Sequence, residues 1–109
     1  MNTITAIKID PINQAITTIE LDKKNLLKAM YTEMNCDLVD KVNLTEHNDL
    51  VIDDEGLFKE DNGEFELAGY SFRGTALIVG NHEGEWTSCN IDKDVIIDKV
   101  VFTAKFADL

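Results

Sequence analysis

Basic residues are scarce in this chain. Ten lysines and arginines stand against 21 aspartates and glutamates, for a formal net charge of −11 and a pI near 4.4. That balance excludes a direct nucleic-acid binder, which needs a basic face, and a protein held on an anionic membrane surface. Long apolar runs are also missing. Nothing approaches the roughly 18 residues of a membrane-spanning helix, and the opening MNTITAIKID has neither the basic region nor the apolar core of a signal peptide. Cysteine is limited to Cys36 and Cys89, too few for the disulfide framework of a small secreted domain. The reading is a cytoplasmic protein with two reduced thiols, a Cys36–Cys89 bridge staying open. One proline and six glycines leave no low-complexity linker, and 44% hydrophobic residues are too many for a disordered acidic tail. At 109 residues the expectation is one domain.

What is present reads as alternating strands with one strong helix. Residues 3–9 (TITAIKI) are rich in β-branched side chains and predict a strand. The DPINQ turn then returns the chain as a second strand over 15–21, an opening hairpin. Asp22 is a suitable N-cap, and Leu26, Leu27, Met30, Tyr31 and Met34 form a single stripe at helical spacing, predicting a helix over 23–34. Asn35 tolerates the left-handed conformation that closes a helix. Strands are expected over 36–44, 50–52 and 64–72, the last entered through the Asn62-Gly63 turn signal. Residues 75–79 (TALIV) are apolar throughout, as in a central strand buried on both faces. Residues 80–85 read as a loop and 86–90 as a short extended piece. Residues 92–98 fit a helical turn or a strand end equally, and 100–106 a final strand with Val100, Phe102, Ala104 and Phe106 inward. The expected fold class is α+β: a mostly antiparallel sheet with one principal helix packed on one face.

Catalytic and cofactor signatures do not assemble. An EF-hand loop needs side-chain oxygens at its first, third and fifth positions and glycine at the sixth. Placing Gly56 or Gly63 at the sixth puts Val51 or Phe58 at the first. Cys36, His47, His82 and Cys89 have no spacing that pre-arranges zinc. Cys36 follows a helix rather than opening one, so no helix N-terminus activates it. GTALIVGNHEGE lacks the GK[ST] ending of a phosphate loop, and its own acids repel phosphate. No catalytic residue, metal or cofactor is assigned, and the chain is read as a non-enzyme.

The strongest signal is the distribution of charge. Residues 46–66 hold nine acids and one lysine, a net charge of −8, while the segments on either side carry only −1 and −2. The candidate partner-binding residues are Asp49, Asp53, Asp54, Glu55, Glu60, Asp61, Glu64 and Glu66. Glu64 and Glu66 on one strand face stand about 6.6 Å apart, comparable to successive phosphates of a nucleic acid; Asp53 and Glu55 do so if their strand extends. Such a row suits the basic channel of a DNA-handling protein and steers association electrostatically. The competing reading is a solvated acidic edge that blocks strand-to-strand aggregation.

The segments ITAIKIDPINQAITTIEL, CDLVDKVNL, DLVIDDEGLFKE and GTALIVGNHEGE, in this order and spacing, resemble a family of small uncharacterised proteins of bacteriophages and other mobile elements, catalogued as a domain of unknown function. The likeness covers roughly residues 4–85 and departs from Trp86 onward, leaving the pairing of the last strand open. It implies an accessory protein acting in the bacterial cytoplasm and carries over no catalytic residue. The expectation is an acidic protein that binds a basic surface of a host protein, as a nucleic-acid mimic inhibiting a nuclease or defence system. The alternative is a structural or regulatory module that homodimerises through apolar edge strands.

Overall fold

The computed structural model describes residues 2–56 and 63–103. The opening hairpin pairs β1 (Thr3–Asp10) with β2 (Ala15–Asp22) in continuous antiparallel register, Thr3 opposite Asp22 and Asp10 opposite Ala15. The turn is closed by the Asp10 carboxylate, which accepts from the backbone N–H of Ile12 (3.1 Å) and Asn13 (3.2 Å). Asp22 then accepts from Lys24 N–H at 3.0 Å and starts a 3-10 turn, Lys23–Asn25, which passes into α1 (Leu26–Met34). Asn35 ends α1 in the left-handed region at φ 52°. The Asp10 turn and the Asn35 helix end match the local chemistry predicted from sequence, but Asp22 caps the 3-10 turn, so α1 itself begins at Leu26 and not at residue 23.

Among the described residues, β3 (Val39–Thr45), β4 (Asn48–Asp53), β5 (Glu64–Leu67), β6 (Tyr70–Arg73), β7 (Ala76–His82), β8 (Glu85–Thr87), α2 (Lys93–Lys99) and β9 (Val101–Thr103) complete the chain. The main sheet has the order β2-β1-β7-β4-β3, with β8 added beside β7; a second sheet has the order β6-β5-β9. Every pairing is antiparallel. β7 lies at the centre, and Ala76 through Gly80 are all buried, which is why that stretch of sequence is apolar without alternation.

The alternation of the strands sorts the core onto two faces. On one, Met30 and Met34 of α1 pack against Ile4, Ala6, Leu21, Val51, Leu77 and Val79. On the other, Phe65 and Leu67 of the second sheet and Ile96 of α2 pack against Ile7, Ile9, Leu50 and Ile78. Full burial of each large side chain contributes about 1.5–3 kcal/mol relative to exposure, so both faces hold the main sheet.

The α+β class and the antiparallel sheet agree with the sequence. One principal helix is a simplification: two short helices lie on opposite faces. The strand expected over 64–72 is two strands. Ala68 and Gly69, at φ 56° and 83°, make a two-residue hairpin turn between β5 and β6, a conformation that asparagine or glycine normally signals and alanine conceals. The loop expected over 80–85 is mostly strand, turning only at Glu83-Gly84. Gly80 sits inside β7 because the chain after β8 crosses it closely; a Cβ there would lie 2.2 Å from the Ser88 carbonyl oxygen. Residues 92–98 resolve as helix α2, and the final strand is Val101–Thr103, paired with β5. Ala104 and Phe106 lie outside the described residues.

Candidate functional site

The acidic stretch does not stay together. Glu46 projects from the β3–β4 turn, its side chain 88% exposed. Asp54 and Glu55 are exposed at the opposite end of β4, about 17 Å away at the usual rise per strand residue. Glu64 and Glu66 lie on β5, on the face away from Phe65 and Leu67. Glu64 is half-buried with its carboxylate 3.9 Å from Arg73 Nε, and Glu66 is exposed. β4 ends at Asp53, whose carboxylate accepts from the Glu55 N–H at 2.9 Å. That turn corrects the expectation of a same-face Asp53–Glu55 pair on an extended strand. Glu60 and Asp61 lie outside the described residues.

Two of the candidate acids point inward. Asp53 is 6% exposed. Asp49, at 1%, is the most deeply buried charged side chain described. Its Oδ2 accepts from Asn81 Nδ2 (3.0 Å) and from the indole N–H of Trp86 (3.1 Å). Its Oδ1 accepts a long bond from Asn43 Nδ2 at 3.4 Å, and Lys41 Nζ stands 4.0 Å from Oδ2. The donors come from β3, β7 and β8, so this carboxylate ties three strands to β4. A charge inside a protein is tolerable when hydrogen-bonded and paired in this way. The arrangement removes Asp49 from any docking surface and gives it a structural task.

The fold supplies two acids that reading along the chain separated from the others. β3 and β4 are antiparallel, with Val39 opposite Asp53 and Asp40 opposite Ile52, and Asp54 N–H donates to the Leu38 carbonyl at 3.0 Å. Asp37 and Asp40 therefore lie alongside Asp54 and Glu55 at one end of the main sheet. All four are exposed, and none makes an ion pair with a described residue. A recess of about 250 Å³ opens at the same end, with Asp53, Asp54, Ser71 and Arg73 in its wall. The available sequence signal was the hairpin itself: a turn at Glu46-His47 folds residues before it onto residues after it.

The thiols and imidazoles are dispersed. Cys36 belongs to the core on the α1 face and Cys89 packs against the opposite core. The sheet separates them, and no bridge joins the two. Burial pushes the Cys89 thiol above its ordinary pKa, the opposite of what a nucleophile needs. His47 and His82 are exposed, each beside its neighbouring glutamate at 3.9 Å. Among the described residues no three of His, Cys, Asp and Glu are grouped to hold a metal, and no helix is long and apolar enough to cross a membrane.

No curated protein and no solved structure matches this chain. One family profile does match, over residues 4–101, spanning both core faces, the buried Asp49 network and the acidic sheet end. The chain accordingly belongs to the DUF3846 family, a domain of unknown function.

Proposed function

We propose that this chain is a non-enzymatic binding protein that docks a basic surface on another protein through the acidic end of its main sheet. The observation that carries the reading is the convergence of Asp37, Asp40, Asp54 and Glu55, exposed and without ion-pair partners among the described residues. The adjoining recess has Asp53 and Asp54 in its wall together with Arg73, whose charge is faced by Glu64 at 3.9 Å, and is of a size to receive one lysine or arginine side chain. The −11 net charge adds long-range attraction, worth more in on-rate than in affinity. Glu64 and Glu66 add charge on the outer face of the second sheet. The phage-family resemblance favours a host nucleic-acid-handling protein in the bacterial cytoplasm as partner, the chain standing in for a nucleic acid. The narrowed docking end replaces the longer row of carboxylates that the sequence suggested.

Tagged protein passed over bacterial lysate at low and moderate salt tests this. The expected result is a retained basic protein whose capture weakens with salt and is lost when Asp37, Asp40, Asp54 and Glu55 become Asn or Gln. Capture unaffected by those four changes, or no basic protein retained, refutes the reading.

A second reading, self-association through the β3 edge, is favoured by Leu38 and Val42, which are 51% and 37% exposed there. Asp40 and Lys41 between them work against edge pairing. A dimer by light scattering that persists at high salt would support this reading over the first.

A further inference from the structure

A cleft of about 530 Å³ opens where α2, the end of β3 and the β5–β6 turn meet. We propose that it binds a small amphipathic carboxylate, its hydrocarbon chain against Leu44, Leu67, Ile91 and Val95 and its headgroup on Lys99. The volume lies in the range of small-molecule sites, which pair apolar walls with a few orienting polar groups. The walls come from separate elements of the fold, so the cleft is not a gap within one element. Val95 is 44% exposed directly beside the 2% exposed Ile96, an apolar surface left uncovered at the cleft's wall.

The chemistry of the headgroup follows from Lys99. It stands four residues after Val95 and three after Ile96, which places all three on one helix face, and all three line the cleft. Asp98 stands three residues after Val95 and next to Lys99 in sequence, but neither it nor Asp94 lines the cleft. Lys99 makes no ion pair with any described residue, in a chain with 21 acids. An ammonium without an ion-pair partner among the described residues, beside an apolar wall that Thr45 also lines, complements a carboxylate on a hydrocarbon tail. A neutral or cationic head lacks that partner. This site lies at the Thr45 end of β4's hairpin, remote from the acidic end, and does not depend on the docking proposal.

Titration of 15N-labelled protein with octanoate, octanol and octylammonium tests it. Octanoate should produce saturable amide shifts at Leu67, Ile91, Val95 and Lys99, with octanol weaker and octylammonium weakest. Lys99→Gln should weaken octanoate about tenfold, the share of one charge-assisted hydrogen bond, and leave octanol unchanged. Val95→Asp, at an exposed position the fold tolerates, should abolish binding of octanoate with the rest of the spectrum intact. Absence of saturable shifts overturns the proposal. So does equal binding of octanoate and octanol to the unmodified chain, or a cleft buried in a dimer that octanoate does not disperse.

Discussion

Replacing Asp49 by alanine is expected to be the most damaging single change among the acids. The substitution leaves the Trp86 indole N–H and the Asn81 amide, held at 3.1 and 3.0 Å from Oδ2, facing a small void. Hydrogen bonds to a charged group contribute about 1.5–3 kcal/mol each, and removing one partner strands the other without water. With the Asn43 bond counted as weak at 3.4 Å, two such losses give about 3–6 kcal/mol. That is a large part of the roughly 5–15 kcal/mol that holds a small domain, and lowers Tm by on the order of 20 °C. Asp49→Asn should be far milder, at about 1–2 kcal/mol. Its remaining oxygen can take the Oδ2 position, and the Asn43 amide can turn to accept from its new NH2. Trp86, the single tryptophan, reports directly through its fluorescence in urea melts, with circular dichroism as the second probe. In a double-mutant cycle, Trp86→Phe should couple to Asp49→Ala by 0.5–3 kcal/mol, the usual range for residues in contact. An Asp49→Ala protein within 1 kcal/mol of the parent, or an Asn variant as damaged as the Ala one, would refute the idea that this carboxylate fastens β3, β7 and β8 to β4.

Ala68→Gly should raise stability by about 0.5–1 kcal/mol in the same melts, since Ala68 sits at φ 56° where glycine carries no Cβ penalty. Gly80→Ala should cost about 2 kcal/mol or more, because the Ser88 carbonyl must move from 2.2 Å to reach ordinary contact with the new Cβ; a smaller loss would mean that the chain after β8 yields easily. Cys89 should alkylate more slowly than free cysteine at pH 8, because burial raises its pKa and leaves less thiolate. For the same reason stability should fall as pH rises past the ordinary thiol pKa, where the unfolded chain ionises first, until Cys89 itself ionises. Cys89→Ser should flatten that decline.

Legibility from sequence followed the range of the interactions involved. The β1–β2 hairpin was legible because Asp10, Pro11 and Asn13 bend the chain through contacts two or three residues apart. The end of α1 was legible because Asn35 takes the left-handed conformation, while Asp22 marked only the 3-10 turn that leads into the helix. The α1 stripe carried the burial of Met30 and Met34 in its periodicity, although Leu27, placed on the same stripe, is 49% exposed; the uniformly apolar centre of β7 carried burial in its composition. Where a turn used a residue that does not announce one, as at Ala68, the sequence misled. Gly80 misled in the other direction, since a glycine needed for the close passage of a distant segment looks the same as one needed for a bend.

The amino-acid sequence by itself determined the amount of charge, its concentration in one stretch and the identity of the strongest helix. Composition and short-range backbone chemistry settle those properties. Tertiary structure alone decided which carboxylates meet solvent. Asp49 and Asp54 are alike as residues, but one lies under Asn81 and Trp86, more than 30 positions away, and the other lies at a sheet end beside Asp37. Antiparallel pairing is what brings such positions together, and the side of the strand on which each falls fixes whether its charge is enclosed or displayed.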